Sequence, residues 1–153
     1  MNNLKTFSAK QTKNLARLLS AEISKKRLKT KGALVIALTG ELGSGKTAFV
    51  QGFLKAAGVK SRITSPTFVI VKSYKVKSYK VKSYKVIYHI DCYRVKKPEE
   101  LLDLGAKDIL SDRRNIVLIE WAEKIRRVLP KDAVWIKFEH SRKENERKIE
   151  IRK

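Results

Sequence analysis

The chain has 153 residues, so we expect residues 1–153 to form a single domain with a buried core, with no room for a second domain. Its 36 Lys and Arg against 15 Asp and Glu give a formal net charge of +21, which favours polyanions over neutral or basic partners. The single Cys92 excludes an internal disulfide, and the sequence has neither an apolar run of about 18 residues nor a signal peptide, so we expect a cytoplasmic protein without membrane contact.

The N-terminal segment predicts a strand followed by a helix. Residues 4–7 are a short strand candidate, and Ser8 to Gln11 have the S-x-x-Q form of a capping box. Apolar residues then recur at helical spacing until a basic stretch at residues 25–31, which Gly32 closes. We interpret this helix as part of the scaffold; the alternative is that its start lies beside a bound nucleotide.

Residues 34–47, LVIALTGELGSGKT, predict a buried strand, a glycine-rich loop and the start of a helix. Four residues satisfy the phosphate-loop pattern G-x-x-x-x-G-K-[ST]: Gly40, Gly45, Lys46 and Thr47. The apolar run at 34–38 and the helical pattern at 48–57 supply the strand-loop-helix context that this motif requires. An ordinary glycine-rich turn between a strand and a helix is the alternative interpretation.

The motif predicts a role for each residue of the loop. The backbone amides expected to hold phosphates are those of Gly43, Ser44, Gly45 and Lys46. The Lys46 side chain reaches the β- and γ-phosphates, and the Thr47 hydroxyl binds Mg²⁺. Glu41 and Leu42 complete the loop and are counted with the nucleotide-binding residues. The motif specifies a nucleoside triphosphate but not the fate of its γ-phosphate.

A hydroxyl-rich segment around a proline follows the loop helix. Residues 64–68, TSPTF, precede a predicted strand at 69–71, and Pro66 fixes its own φ. Two interpretations are open for the stretch from Thr64 to Thr67. It is either a switch-like segment that senses the γ-phosphate or a strand-entry turn with local hydroxyl caps.

Residues 72–86 are three copies of KSYKV. In a strand of period two, Tyr74 and Tyr84 would face one side and Tyr79 the other, so the block cannot keep a single apolar face throughout. We predict a basic hairpin insertion that projects from the sheet. It is either a Lys/Tyr surface for RNA or an acidic partner, or a repeat expansion tolerated at a loop tip, and we favour the expansion because loop length costs little.

Two predicted strands end in an acidic residue. Residues 86–90 deliver Asp91, and residues 115–119 deliver Glu120. A carboxylate at a strand end beside a phosphate loop is placed to bind Mg²⁺ or to orient the attacking water. For Glu120 the alternative is an ordinary solvated side chain.

The remaining segments complete an α/β pattern. They predict short helices at 98–105 and 122–129 and a closing hairpin made of strands at 133–139 and 148–152. His89 and Cys92 are interpreted as packed or hydrogen-bonded side chains, because two such residues do not make a zinc site.

Five motifs occur in an order and at spacings that closely resemble the TsaE family, also called YjeE: TGELGSGKT, ITSPTF, YHIDCYR, PEELLDLG and LIEWAEK. The likeness extends from about residue 4 to residue 151. Members of this family are small bacterial P-loop ATPases of tRNA threonylcarbamoyladenosine biosynthesis. The resemblance implies an α/β fold with a P-loop NTPase-like sheet, parallel at its centre with antiparallel flanking strands and helices on both faces.

The resemblance also implies functional residues. Thr47 and Glu120 would hold Mg²⁺, and the implied catalytic residues are Lys46, Asp91 and Glu120. Trp121 would adjoin the site, and the stretch from Thr64 to Thr67 would be the switch-like segment.

By the same analogy, Gln11 and Thr12 would lie against the adenosine. The KSYKV block makes the hairpin longer than is usual in the family by about one copy, which affects the partner-facing surface and not the nucleotide site.

Three functions are compatible with these features. The first is weak, Mg²⁺-dependent hydrolysis of ATP to ADP in the service of the threonylcarbamoyl transferase complex of TsaB and TsaD, with tRNA as an additional partner and no DNA. The second is a small P-loop kinase, for which Arg113 and Arg114 are the only compact lid candidate. The third is a basic RNA-binding module with a structural nucleotide.

Overall fold

The computed structural model describes residues 2–64, 70–76 and 83–153. The strands are β1 (Asn2–Thr6), β2 (Leu34–Thr39), β3 (Val71–Lys75), β4 (Val86–Asp91), β5 (Asn115–Glu120), β6 (Val134–His140) and β7 (Arg147–Arg152). The helices are α1 (Ala9–Lys25), α2 (Lys46–Ala56), α3 (Glu99–Asp103), α4 (Ala106–Ser111) and a 3₁₀ helix (Ala122–Val128). Within these ranges, no helix combines the length and the apolar character needed to span a bilayer.

The seven strands form one sheet in the order β1-β7-β6-β2-β5-β4-β3. The four strands β6, β2, β5 and β4 are mutually parallel, whereas β3 pairs with β4, β7 with β6 and β1 with β7 in antiparallel fashion. This arrangement confirms the predicted parallel centre with antiparallel flanking strands.

The strand order reverses beside β2. From β2 the chain continues to β3 and β4 on one side, and after β5 it returns to β6 on the other side of β2. Ligands of open α/β sheets bind at the carboxyl ends of the strands next to such a reversal. A ligand site is therefore expected at the edge of the sheet where β2, β5 and β4 end.

Helices cover both faces of the sheet, as predicted. β2 and β5 are almost continuous apolar runs because each is buried on both faces. On one face, Phe49 and Phe53 of α2 pack with Ala16 of α1 against the sheet. On the other face, Leu101 of α3 and Ile125 of the 3₁₀ helix pack against the opposite side chains of the same strands.

The start of α1 is fixed by its cap. Ser8 Oγ accepts a hydrogen bond from Gln11 N at 3.1 Å, as the capping box predicts. Gln11 Oε1 accepts from Phe7 N at 2.8 Å and so reaches one residue further back than the usual box. Behind the cap, α1 crosses α2 so closely that a Cβ on Gly52 would lie 2.5 Å from Lys13 O.

The KSYKV block differs in part from its prediction. Its first copy forms most of β3, and Val76 N donates to Lys85 O at 2.9 Å beyond the end of the β3–β4 pair. Tyr74 and Tyr84 are buried in the same core cluster, so they do face one side. The first copy therefore belongs to the sheet and not to a projecting tip, because its tyrosine fills the core. Tyr79 and the rest of residues 77–82 lie outside the described residues.

Two helical segments differ from the sequence-based expectation. α3 ends at Asp103, just before the predicted stop at Gly105, where φ is 83°, and the chain then continues into α4, which the sequence did not predict. The segment after β5 is a 3₁₀ helix with a break at Ile125, where φ is −123°. Both segments contribute to the same core cluster on one face of the sheet.

Candidate nucleotide site

A cavity of about 520 Å³ opens at the carboxyl edge of the parallel strands. It is bounded by the glycine-rich loop, the start of α1, the ends of β4 and β5 and the β6–β7 turn. The lining residues are Ser8, Ala9, Thr12, residues 42–48, Asp91, Tyr93, Glu120, Trp121, Asn145 and Arg147.

The loop curls around this cavity through three glycines with positive φ. The φ angles are 137° at Gly40, 72° at Gly43 and 106° at Gly45, values that L side chains rarely adopt. At Gly40 a Cβ would also lie 2.3 Å from Phe138 O of β6, so glycine is required there for close approach as well. α2 begins directly after Gly45, and its first N–H groups lack acceptors within the helix. The loop therefore has the left-handed glycines that the phosphate-loop motif requires.

Lys46 lies inside the loop with only 4% of its surface exposed. Its Nζ donates to Gly40 O at 2.5 Å and to Glu41 O at 2.8 Å. The same ammonium lies 4.2 Å from the centroid of the Trp121 ring, a cation–π contact. The loop carbonyls and the indole ring thus hold the cation at the cavity wall.

The charges around Lys46 act in opposite directions on its protonation. Burial lowers the pKa of Lys46 below its usual value, whereas the carboxylates of Glu120, Glu123 and Asp91 raise it. The arrangement keeps acidic groups around a desolvated cation, at the position where a phosphate would add further negative charge.

Glu120 is bonded through both carboxylate oxygens. Thr47 Oγ1 donates to Glu120 Oε1 at 2.6 Å, and His89 Nε2 lies 2.7 Å from Glu120 Oε2. Only 2% of Glu120 is exposed, so it is not an ordinary solvated side chain. Asp91 is its direct partner in the parallel β4–β5 register and is 6% exposed, which brings both predicted acids to the same edge.

Trp121 turns the chain immediately after Glu120. Its φ of 57° and ψ of 39° place a bulky residue in the left-handed region, which is uncommon. The turn places the indole against Lys46 and 5.1 Å from the Tyr93 ring centroid. Trp121 therefore adjoins the cavity, where the resemblance places it.

Other predicted residues vary in their relation to the cavity. Thr12 is 1% exposed, lines the cavity and shares a 2.8 Å hydrogen bond with Thr6. Gln11 and Glu41 are exposed and do not line it, although the Glu41 carbonyl binds Lys46. Thr64 is also exposed and away from the cavity, with its Oγ1 3.4 Å from Lys72 Nζ. Thr67 and the centre of the switch-like segment lie outside the described residues.

The packed interpretation of His89 and Cys92 agrees with their burial. Both side chains have no exposed surface. Burial raises the pKa of the Cys92 thiol to about 12, which makes it a poor nucleophile. His89 is also hydrogen-bonded, to Glu120, which agrees with the other half of the prediction.

Sequence reasoning missed the residues that the closing hairpin brings to the cavity. Arg147 lines it and donates from Nη2 to Gly43 O at 3.3 Å, and His140 Nε2 donates to Leu42 O at 3.1 Å. Asn145 lines it with φ of 65°. No local pattern marks these residues, because their place depends on β6 lying next to β2. Tyr93 also lines the cavity, and the sequence could have indicated it, since Tyr93 belongs to the YHIDCYR motif.

The proposed kinase lid lies at the wrong edge of the sheet. Arg113 and Arg114 immediately precede β5, whereas the cavity lies at the opposite end of that strand. Arg114 forms a two-point ion pair with Asp112, at 3.0 and 2.8 Å, and Arg27 binds Arg113 O at 2.8 Å. This pair therefore cannot close over phosphates held by the loop.

Comparison with known proteins identifies relatives that match most of the chain. The family described as "Threonylcarbamoyl adenosine biosynthesis protein TsaE" matches residues 6–149. The chain is 37% identical over 124 residues to the tRNA threonylcarbamoyladenosine biosynthesis protein TsaE of Rickettsia bellii, covering 80% of this chain and 76% of that protein. The TsaE protein of Bacillus subtilis is 33% identical over 132 residues, covering 86% and 73% of the two chains.

A solved structure supports the same assignment. The fold is similar to the crystal structure of Bacillus subtilis YdiB with a TM-score of 0.70 and 28% sequence identity. The similarity covers 97% of this chain and 82% of that one. The fold is thus of the P-loop NTPase type, and the chain belongs to the TsaE family.

Proposed function

We propose that this protein binds ATP and ADP with Mg²⁺, hydrolyses ATP slowly, and acts in the cytoplasm as an accessory to tRNA N6-threonylcarbamoyladenosine modification. The observation that carries the proposal is the 2.6 Å contact between Thr47 and Glu120 beside the buried Lys46. It joins a phosphate loop to a strand-end acid, the two parts that nucleotide hydrolysis requires.

The residues present fit both the phosphates and the metal. The positive φ glycines and the start of α2 present backbone N–H groups to an anion. A hydroxyl and a carboxylate oxygen, from Thr47 and Glu120, are the hard oxygen donors that Mg²⁺ prefers. Thr47 and Glu120 would hold the metal, which would neutralise charge on the β- and γ-phosphates when bound.

The chain's own groups have distinct tasks in this proposal. Lys46 gives its ammonium to the β- and γ-phosphates in place of the loop carbonyls that it binds here. Asp91 supports hydrolysis from the neighbouring strand end by orienting water, since its carboxylate faces the same cavity. Trp121 and Tyr93 shield the site from bulk water on the side of the 3₁₀ helix.

The pathway and partners follow from the family. The curated relatives carry tRNA threonylcarbamoyladenosine biosynthesis in their names. On that ground we propose the TsaB and TsaD proteins of the threonylcarbamoyl transferase complex as partners, with ATP turnover coupled to their work. The kinase alternative loses its lid candidate, because Arg113 and Arg114 lie at the far edge of the sheet.

Direct contact with tRNA has support from one surface. A groove of about 930 Å³ between α1, α2 and the segment after α2 is lined by five basic residues: Lys10, Lys13, Arg17, Lys55 and Lys60. None of the described residues that line the groove is acidic. A groove of this kind attracts the phosphate backbone of RNA without reading its bases.

The Lys46→Ala variant tests nucleotide binding. Removal of the ammonium that would bind the phosphates predicts a roughly 10- to 100-fold weaker affinity for ATP by titration calorimetry. Lys55→Ala is the matched control, because it removes an exposed lysine from the same helix and should leave the affinity unchanged. Equal affinity in Lys46→Ala and wild type would remove this loop from nucleotide binding.

The double variant Lys13→Glu/Arg17→Glu tests the groove. We expect weaker tRNA binding and a plot of log K against log salt that is shallower by about one unit for each phosphate that the groove no longer neutralises. Lys96→Glu/Lys97→Glu makes the same change of charge at exposed positions just before α3. If the two double variants weaken tRNA binding equally, the effect is one of net charge and the groove has no special part.

A further inference from the structure

We propose that His89 is a positioning residue for Glu120. Its ring would hold the carboxylate in the orientation needed to serve Mg²⁺ and the attacking water. This inference rests on the proposed function and adds to it a residue that the phosphate-loop and strand-end patterns do not assign.

The strand register places the two side chains together. His89 pairs with Leu118 in the parallel β4–β5 ladder, and Glu120 is two residues further along β5 on the same face. Such diagonal neighbours lie within reach of long side chains. The 2.7 Å separation of His89 Nε2 and Glu120 Oε2 is the resulting contact, and it is almost completely shielded from water, with the side chains 0% and 3% exposed.

A role limited to packing accounts poorly for a histidine at this position. Its neighbours Tyr88 and Ile90 on β4 and Leu118 on β5 pack into the two cores, and His89 is fully buried between them. Its Nδ1 is buried and has no hydrogen-bond partner among the described residues. An aliphatic side chain would avoid the cost of burying that unpartnered nitrogen.

The polar contact that remains is the one with Glu120. With a proton on Nε2, the ring donates to the carboxylate, and Nδ1 is the ring nitrogen without a partner among the described residues.

The carboxylate is thus held at two points. Thr47 bonds one oxygen of Glu120 and His89 bonds the other, so rotation of the carboxylate plane would break both hydrogen bonds. A metal-facing ligand is oriented by groups behind it in this way, and loss of such a group typically costs 10- to 100-fold in metal affinity or activity. Since Thr47 would also serve Mg²⁺, His89 is the member of the pair that is devoted to Glu120.

Two substitutions separate positioning from packing. His89→Leu introduces an apolar side chain of similar size that has no hydrogen-bond donor, whereas His89→Gln keeps an N–H donor at a similar reach. For His89→Leu we expect kcat for ATP to fall about 10- to 100-fold with KM within about twofold, and a higher Mg²⁺ concentration for half-maximal activity. His89→Gln should recover most of both changes. If His89→Leu does not fold, His89→Met takes its place, because Met adapts to irregular core space.

A binding measurement gives the same answer without turnover. Calorimetry with a non-hydrolysable ATP analogue, with and without Mg²⁺, measures how much the metal strengthens binding. We expect that gain to shrink in His89→Leu and to persist in His89→Gln, with equal affinities in the absence of Mg²⁺. The inference is overturned if the two variants behave alike, or if the gain in His89→Leu equals that of wild type. Absence of any gain in wild type would instead contradict the proposed function.

Discussion

At the scale of single residues, Gly40 of the loop must be glycine for two reasons, which a comparison with Gly105 outside the loop separates. Gly40 has a φ of 137°, and a Cβ there would collide with Phe138 O at 2.3 Å. Gly105 has a φ of 83°, but a Cβ there would meet nothing within 4 Å. The pair therefore separates backbone strain from steric collision within one chain.

Substitution of each of these two glycines by alanine measures the two costs separately. Gly105→Ala should lower the free energy of unfolding by about 1–2 kcal/mol, the cost of a left-handed alanine. Gly40→Ala should lower it by about 3 kcal/mol or more, because β6 must also move away from the loop. Urea unfolding of both variants checks the order, and equal losses would mean that the loop yields without disturbing β6.

The sequence located the loop residues but not the hydrogen-bond partner of His89, for a physical reason. Lys46 and Thr47 act through local spacing, which the G-x-x-x-x-G-K-[ST] pattern contains. His89 bonds a residue 31 positions away, and that contact follows only from the β4–β5 register. A histidine in an alternating strand carries no local mark of such a partner.

At the scale of elements, the described parts of the KSYKV repeat supply both an edge strand and buried core side chains. The first KSYKV copy supplies an edge strand, and its Tyr74 is 7% exposed within the core. The third copy supplies Tyr84, which is 2% exposed in the same cluster. The period of one continuous strand would also put them on one side, but Tyr74 lies on β3 and Tyr84 just before β4, so their shared core goes with the antiparallel pairing of these two strands. The sequence did not predict that these two tyrosines would be buried, because a Lys-rich repeat resembles a solvated loop.

The buried Tyr74 and residues 77–81 of the repeat should respond differently to mutation. Tyr74→Ala should destabilise the fold by about 3 kcal/mol, as for other buried aromatic residues, whereas Ser73→Ala at the exposed neighbouring position should have little effect. Deleting residues 77–81 retains both buried tyrosines and should change the free energy of unfolding by less than about 1 kcal/mol through loop closure. A larger loss on deletion than on Tyr74→Ala would reverse this division.

At the scale of the whole molecule, strand order decides which distant residues meet. The resemblance to the TsaE family predicted the parallel centre, and the strand-end position of Asp91 and Glu120 beside the phosphate loop predicted that both lie at the same edge. The place of the closing hairpin was not predictable in the same way. Arg147 and Asn145 reach the cavity because β6 lies beside β2 after the reversal of strand order. Net charge likewise predicts affinity for polyanions but not the groove in which the charges gather.

We propose that Glu120, held against the phosphate loop, serves hydrolysis of ATP more than its binding. The measurement is ATP affinity and steady-state turnover of Glu120→Gln, with Glu123→Gln as a control at an exposed carboxylate nearby. Glutamine keeps the shape and removes the charge that organises metal and water, so we expect affinity within about threefold of wild type and turnover at least about 100-fold lower. Glu123→Gln should retain wild-type turnover. Equal hydrolysis by Glu120→Gln and wild type would contradict the account.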